Sequence, residues 1–291
     1  SRTMPFSKPF AEIVKARYSC RTYEERPIAG DTRRKLSAIA STLGAGPFGT
    51  TPRFELVAAT AEDRDALKGL GTYGFIKGAT GFFVGATEHA AQAAEDYGYL
   101  MELLILHATD LGLGTCWLGG SFTRSSFAAK IDLRPGEMVP AVTAVGYIAG
   151  RPRAFDPLMR RYARSDKRLP WQRLFFRDGF DQPLSQGEAG AYALPLEMVR
   201  LAPSASNKQP WRIIQDGDAW HFYLARTRGY GQGRLTKGFM AADIQRLDMG
   251  IAMCHFELAA RALGLEGRWS FEEPPITRPG ELTEYTATWA A

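Results

Sequence analysis

The chain has 291 residues, 45% hydrophobic and 23% charged, which is ordinary for a soluble globular protein and long enough for about two domains. No run of about 18 apolar residues occurs, which excludes a transmembrane helix, and with no secretory signal near the start we expect a cytoplasmic protein. Three widely spaced cysteines argue against a disulfide framework and a structural zinc site. The net charge is +5, but the basic residues do not form a single tract of the kind that binds nucleic acid.

The first half of the chain mixes helical and strand patterns. Helices are predicted at 31–43, with Asp31 as N-cap, at 61–70, with Thr60 as a possible cap, and from about 90 to 111. Runs rich in β-branched and aromatic residues predict strands, and these lie at 54–60, 80–87 and 141–148.

The second half begins with an apolar run, 194–202, whose helix must end before Pro203 because proline lacks an N–H and restricts φ. Strand patterns at 211–215 and 219–226 flank the sequence DGD, which predicts a tight hairpin. Helices and strands without strict alternation predict an α+β fold with a mainly antiparallel sheet. The sequence GLGTCWLGG at 112–120 follows a long helix, so it is not a dinucleotide-binding fingerprint.

An internal repeat becomes visible when 96–117 is laid on 248–269. Nine of 22 positions are identical at an offset of 152 residues, and both segments are long apolar helices that end in Leu-Gly-Leu. The glycine there can adopt the left-handed conformation that ends a helix. Two upstream alignments extend the match, 17–28 with 173–184 and 44–57 with the stretch from Pro203 to Gln215.

We therefore predict two copies of one unit of about 150 residues, with domains at 4–160 and 161–291. The basic segment 151–168 lies near the join. Each copy has polar residues that the other lacks: copy one has Ser19 where copy two has Phe175, and only copy two has the sequence PSASNKQPW. Two copies that together complete one site would show this pattern, and so would the random decay of a redundant duplicate.

Three segments resemble the FMN-dependent nitroreductase family: ARYSCRTYEERPI near the start, APSASNKQPWRI, and LGLGTCWLGGSF followed by PAVTAVGYIAGRPR. The resemblance covers nearly the whole chain, once per copy, and is similar to the internally duplicated branch of the family. It implies two tandem nitroreductase-like copies, each with a mainly antiparallel sheet flanked by helices, packed as a pseudo-dimer. The chain would then act as a monomer with one FMN, since copy two lacks the serine and the glycine pair of copy one.

The resemblance also implies the cofactor-binding residues. An arginine–serine–arginine element holds the phosphate and ribityl chain, here Arg17, Tyr18, Ser19 and Arg21. The loop after the long helix offers backbone N–H groups near flavin N5, here Trp117, Leu118, Gly119 and Gly120. Basic residues near the phosphate are Lys167 and Arg168. A loop from the other half contacts the ring, here Pro203, Ser204, Ala205, Ser206 and Asn207, with Gln209 behind them.

Physical chemistry agrees with these roles, because guanidinium groups pair with phosphate oxygens and glycine lets a backbone approach a flat ring. Each feature also has a structural interpretation. The arginines could be surface residues, the glycines a turn, Trp117 and Trp211 core packing, and Cys20 and Cys116 inert small side chains. Three aromatic residues are candidate walls of an acceptor pocket or ordinary core residues: Tyr73, Phe75 and Phe122.

No acid–base pair is recognisable, as expected where a flavin carries the chemistry. The predicted function is an oxidoreductase that uses NAD(P)H as co-substrate and reduces a small-molecule electron acceptor, a nitroaromatic, a quinone or a similar compound, by a ping-pong hydride mechanism. The alternatives are a non-catalytic FMN-binding protein for storage or sensing, and a flavin-fragmenting or dehalogenating relative. No nucleic acid, membrane or metal is expected to take part.

Overall fold

The computed structural model describes residues 5–150, 167–230, 235–236, 239–240 and 242–291. The chain divides into two compact units, one up to residue 165 and one from residue 166 onward. Apart from Lys167 and Arg168, the basic segment 151–168 lies outside the described residues. None of the helices in the described part combines the length and the apolar character that crossing a membrane would require.

The first unit contains one antiparallel sheet. Its strands are β1 (Arg53–Ala58), β2 (Gly81–Glu88), β3 (Gly114–Leu118), β4 (Glu137–Met138) and β5 (Val142–Gly146), and its helices are α1 (Phe10–Ala16), α2 (Gly30–Ser41), α3 (Ala93–Asp110) and α4 (Arg124–Lys130). The strand order is β1-β2-β5-β3, and β4 pairs with β2. Strand β2 and helix α3 are buried almost throughout, so they form the centre of this core.

The second unit is built from the remaining elements. Its strands are β6 (Phe175–Arg177), β7 (Trp211–Asp216), β8 (Ala219–Ala225), β9 (Leu235–Thr236), β10 (Phe239–Met240), β11 (Arg268–Ser270) and β12 (Thr283–Ala290), and its helices are α5 (Gln186–Ala189), α6 (Ala193–Arg200) and α7 (Ile244–Ala262). The main sheet has the order β11-β12-β8-β7-β6, and β9 and β10 pair separately. Phe256 of α7 packs against the rings of Phe222 and Trp289 in the core.

The same four-stranded pattern occurs in both units. The strands β1, β2, β5 and β3 correspond in order and direction to β7, β8, β12 and β11, and every pair among them is antiparallel. In each unit the long helix connects the second and third of these strands along the chain, α3 in the first and α7 in the second. The duplication predicted from the sequence is thus confirmed at the level of topology.

The two long helices also end in the same way. Gly112 and Gly264 have φ of 83° and 72°, in the left-handed region. The N–H of Leu113 donates to the carbonyl of Ala108 and that of Leu265 to the carbonyl of Ala260, five residues back in both cases. This pattern is the Schellman motif, in which glycine avoids the steric cost of a positive φ. The Leu-Gly-Leu prediction is confirmed in both units.

Most element predictions are confirmed, but one N-cap assignment and one helix prediction are wrong. Helix α2 begins at Gly30 without a side-chain cap, and Asp31 lies in its first turn instead of capping it. Residues 61–70 form turns, although the N–H of Asp63 does donate to the hydroxyl of Thr60 at 2.9 Å. Residues 61–65 are all exposed, and only Leu67 and Leu70 of the segment pack against the core. The first half of a helix there would bury no apolar side chain, and short helices with little packing are marginal in water.

The upstream alignment of 17–28 with 173–184 is also wrong as a structural equivalence. Ser19 forms a bridge with Thr115 in β3, at one end of the first sheet. Strand β6 instead pairs in parallel with β7, the counterpart of β1, at the opposite end of the second sheet. Shared arginines and prolines in a short polar segment carry little information about strand pairing, because such residues are common wherever a chain runs along a sheet edge.

Candidate functional site

Arg17 stands where helix α1 gives way to an extended segment. Its N–H still donates to the carbonyl of Ile13, but its backbone is already extended, with φ of −67° and ψ of 132°. The chain then follows the edge of β3, where the N–H of Cys20 donates to the carbonyl of Thr115 at 2.8 Å. Because side chains alternate along extended backbone, Cys20 points into the core while Ser19 and Arg21 are exposed.

The guanidinium groups of Arg17 and Arg21 both lie near the thiol of Cys116. Burial raises the pKa of Cys116 to about 11, and the two arginines oppose that rise. Arg17 is only 8% exposed, and its Nε finds no hydrogen-bond partner among the described residues. Neither arginine forms an ion pair with a described carboxylate. The predicted phosphate-binding pair is therefore brought together with its charge uncompensated within the described part of the chain.

Cys20 and Cys116 are both buried. A thiol whose pKa is raised holds its proton at neutral pH, and the protonated thiol is a poor nucleophile. The raised pKa of Cys116 and the burial of both cysteines agree with their interpretation as inert packing residues.

The loop after β3 presents backbone rather than side chains. Leu118 is 1% exposed, and the indole Nε1 of Trp117 donates to Glu102 of helix α3 at 3.0 Å. A Cβ atom added at Gly120 would meet no protein atom within 4 Å, and no hydrogen bond of the Gly120 N–H to a described residue is found. The side chains of this loop thus serve the core, and the Gly120 backbone faces open space.

Arg124, which the sequence analysis did not single out, holds this loop in place. Its Nη2 donates to the carbonyl of Gly119 at 3.0 Å and to that of Pro140 at 3.1 Å. Its guanidinium also lies 4.6 Å from the centre of the Phe122 ring. In the sequence FTRSS, an arginine next to serines and a threonine is typical of a surface helix end, so only the fold could reveal this role.

The three candidate wall residues have different surroundings. Phe122 is 2% exposed and meets Phe127 edge-on, so it belongs to the core. Phe75 lies beneath the guanidinium of Arg21, at 4.1 Å from its ring centre. Tyr73 is 74% exposed with φ of 51°, and its turn is joined to the Arg124 region because the N–H of Thr123 donates to the carbonyl of Gly71. Tyr73 and Phe75 remain candidates for an accessible wall.

In the second unit, the loop from Pro203 to Pro210 is strained and internally bonded. Ser206, Asn207 and Gln209 all have positive φ, between 49° and 52°, which is costly for residues other than glycine. The N–H of Gln209 donates to the hydroxyl of Ser204 at 2.8 Å, and the N–H of Ala205 donates to the carboxylate of Asp248 in helix α7. Backbone strain of this kind persists only where surrounding contacts hold it.

Lys167 and Arg168 supply part of that support. The side chain of Gln209, 2% exposed, accepts from the N–H of Leu169 at 2.7 Å and donates to the carbonyl of Lys167 at 3.0 Å. Arg168 donates to Oδ1 of Asn207 and to the carbonyl of Leu201. Arg168 thus donates to the loop through Asn207 and to the end of helix α6 through Leu201, whereas the side chain of Lys167 is exposed.

Ser206 lies at the exposed tip of this loop. Its hydroxyl accepts a hydrogen bond from the hydroxyl of Tyr230 at 2.7 Å, and Lys208 lies over the Tyr230 ring at 5.3 Å. Nothing in the sequence around Tyr230 relates it to 203–209, so only the fold shows this contact. Trp211, just after the loop, is fully buried, which confirms its interpretation as a packing residue.

Comparison with known proteins gives one family match. A family model described as "Putative TM nitroreductase" matches residues 10–260. A crystal structure of a "putative nitroreductase" from Thermotoga maritima is similar over 99% of this chain and 96% of that chain, with a TM-score of 0.61 and 19% identity. No curated protein matches the chain.

Two further solved structures are similar to part of the chain. The match with an FMN-dependent nitroreductase from Clostridium difficile covers 50% of this chain and 92% of that chain, with 21% identity and a TM-score of 0.40. The match with a nitroreductase with bound FMN from Bacteroides fragilis covers 50% of this chain and 92% of that chain, with 21% identity and a TM-score of 0.38.

Proposed function

Because this chain belongs to the nitroreductase family described as "Putative TM nitroreductase", we propose that it is an FMN-dependent oxidoreductase that uses NAD(P)H to reduce nitroaromatics, quinones or similar small acceptors. It holds one FMN per chain and works as a monomer in the cytoplasm. Family membership supports the reaction class, and the geometry around Arg17 supports the cofactor.

The observation that carries the proposal is the uncompensated pair Arg17 and Arg21. An FMN phosphate has nearly two negative charges, and burying them unpaired would cost several kcal/mol. Arg17 is itself buried, and its Nε–H has no acceptor among the described residues. A buried donor without an acceptor is costly unless a ligand accepts a hydrogen bond from it. A phosphate has the right charge and enough acceptor oxygens for both guanidinium groups, so these residues fit the cofactor.

The remaining roles follow from what each group can offer. When bound, FMN would supply the hydride chemistry between NAD(P)H and the acceptor, which we propose follows a ping-pong order. The Gly119 and Gly120 backbone provides close approach and N–H donors without any side chain in the way. The loop 203–209 of the second unit remains a proposed FMN-binding element. Its Ser206 hydroxyl accepts a hydrogen bond from Tyr230, and Arg168 and Gln209 support its strained backbone.

The first experiment is the absorbance spectrum of the purified protein after incubation with FMN and removal of free ligand. We expect flavin bands with one FMN per chain, and NAD(P)H oxidation that depends on a nitroaromatic or quinone. A protein that binds no FMN would refute the proposal. One that binds FMN but never oxidises NADH or NADPH would refute the enzymatic part and favour a storage or sensing role.

A pair of variants tests whether both units contribute. Arg21→Ala and Ser204→Ala should each lower the affinity for FMN, because Arg21 is assigned to the phosphate and Ser204 shapes the loop through its bond from Gln209. Arg134→Ala, which removes an exposed arginine of the first unit, is the control and should bind FMN normally. Normal FMN affinity in the Ser204 variant would exclude the second unit from the site.

A further inference from the structure

Arg124 stands out because its charge has no acidic partner in the described part of the chain. Burial lowers the pKa of its guanidinium, and the groups that oppose the shift are the hydroxyls of Tyr97 and Tyr73, not carboxylates. Its Nε is buried without a hydrogen-bond partner among the described residues, while Nη2 bridges the carbonyls of Gly119 and Pro140. A half-buried, unpaired arginine is costly, so a role beyond stability is required to explain it.

The carbonyl of Gly119 and the N–H of Gly120 belong to the same peptide plane. In a trans peptide these two groups point in opposite directions, so a donor on the Gly119 oxygen directs the Gly120 N–H away from Arg124. That N–H has no bond of its own to the described residues, and the space beside Gly120 is open. Hydrogen bonds in series polarise one another, so a charged donor on the oxygen makes the N–H a stronger donor.

We propose that Arg124 is a positioning residue that fixes and polarises the Gly119–Gly120 peptide, so that the Gly120 N–H stabilises the electron-rich edge of reduced FMN. This inference rests on the proposed function, because it assumes that FMN lies against this loop. Its consequence is that Arg124 raises the reduction potential of the bound flavin. Preorganised donors of this kind stabilise charge at little reorganisation cost.

The test is a redox titration of FMN bound to the wild-type protein and to Arg124→Gln, Arg124→Lys and Arg134→Gln. In Arg124→Gln we expect reduced FMN to lose at least tenfold in affinity relative to oxidised FMN, a fall in potential of about 30 mV for a two-electron couple. Lysine keeps the charge and one donor nitrogen, so the reduction potential of FMN in Arg124→Lys should be close to that in the wild-type protein. Arg134→Gln makes the same charge change at an exposed site and should leave the potential unchanged.

The outcomes separate this inference from the proposed function. Failure of the wild-type protein to bind FMN would overturn both. FMN bound at an unchanged potential in Arg124→Gln would overturn the inference alone, whatever the NAD(P)H activity. Should Arg124→Gln not fold, the wild-type protein labelled with ¹⁵N-glycine decides: the Gly120 amide resonance should shift when bound FMN is reduced by dithionite, and a resonance that does not respond overturns the inference.

Discussion

Asp96 and Asp248 occupy equivalent places in the two units and make the same kind of contact. Asp96, near the start of α3, accepts from the N–H groups of Phe48 and Thr50, both at 2.8 Å. Asp248, near the start of α7, accepts from the N–H of Ala205. In each unit the long helix thus holds the loop that precedes β1 or its counterpart β7. In the second unit that loop belongs to the proposed flavin site.

Replacing Asp96 with asparagine should destabilise the first unit. Asp96 is fully buried and also accepts from the Thr50 hydroxyl at 2.6 Å, so asparagine would leave at least one N–H unpaired. We expect a loss of about 1–3 kcal/mol in the free energy of unfolding, measured by urea denaturation. Asp31→Asn, at a highly exposed surface pair with Arg34, is the control and should change stability little. Equal effects in the two variants would contradict the proposed role of Asp96.

The free energy of unfolding should decrease as the pH is lowered, because His107 is buried in its neutral form. The ring is 3% exposed and stacks on Phe6 at 4.4 Å, and burial lowers its pKa to about 4, with Lys35 adding to the shift and Asp110 opposing it. As the pH falls below about 6.5, the pKa of histidine in the unfolded chain, His107 is protonated in the unfolded state but stays neutral in the folded state. The stability contribution is therefore present at pH 7 and lost between about pH 6.5 and 4.

Urea denaturation at pH 7 and pH 5 checks this dependence. The wild-type protein should lose about 2 kcal/mol more on this change than His107→Gln, which cannot titrate. His89→Gln removes an exposed histidine and should behave like the wild type. If His107→Gln kept the full pH dependence, another group would have to be responsible.

Arg17→Gln should weaken binding of FMN but not of riboflavin, which has no phosphate. Losing one charge-assisted hydrogen bond costs about 1.5–3 kcal/mol, which corresponds to roughly a tenfold to hundredfold rise in Kd. Fluorescence titration with both ligands measures it. Arg173 is an exposed arginine of the second unit, so Arg173→Gln makes the same charge change as a control and should bind both ligands normally. A parallel loss of riboflavin affinity in Arg17→Gln would point to a distorted fold instead of a phosphate contact.

Gly120→Ala should lower FMN affinity without lowering stability. The added methyl group would meet no protein atom within 4 Å, so the stability change should stay within about 0.5 kcal/mol. A flat ring that approaches this backbone would meet the methyl group directly. Gly187→Ala, at a site with similar room in α5, should leave FMN affinity unchanged and raise stability by at most about 1 kcal/mol, since alanine favours a helix more than glycine does. Unchanged FMN affinity in Gly120→Ala would place the ring elsewhere.

Local signals in the sequence determined the main elements and the duplication. The Leu-Gly-Leu ends predicted two left-handed glycine caps, and the DGD turn predicted the β7–β8 hairpin, because caps and tight turns depend on a few neighbouring residues. Asp96 and Asp248 stand out in the repeat alignment as an identical pair, although their partners could not be read from it. The segment 61–70 shows the limit of such signals, since a helix also needs something to pack against.

Only the tertiary structure decided which polar groups are used up and which remain available. Arg17 and Arg21 have no acidic partner among the described residues, whereas Arg168 donates to Asn207 and to the carbonyl of Leu201. All three arginines look alike in the sequence. Arg124 acquires its place through the carbonyls of Gly119 and Pro140, the second of them 16 residues away. Hydrogen bonds and charges act over a few ångströms in space, so contacts between distant segments, and not neighbours along the chain, decide which side chains are free to bind.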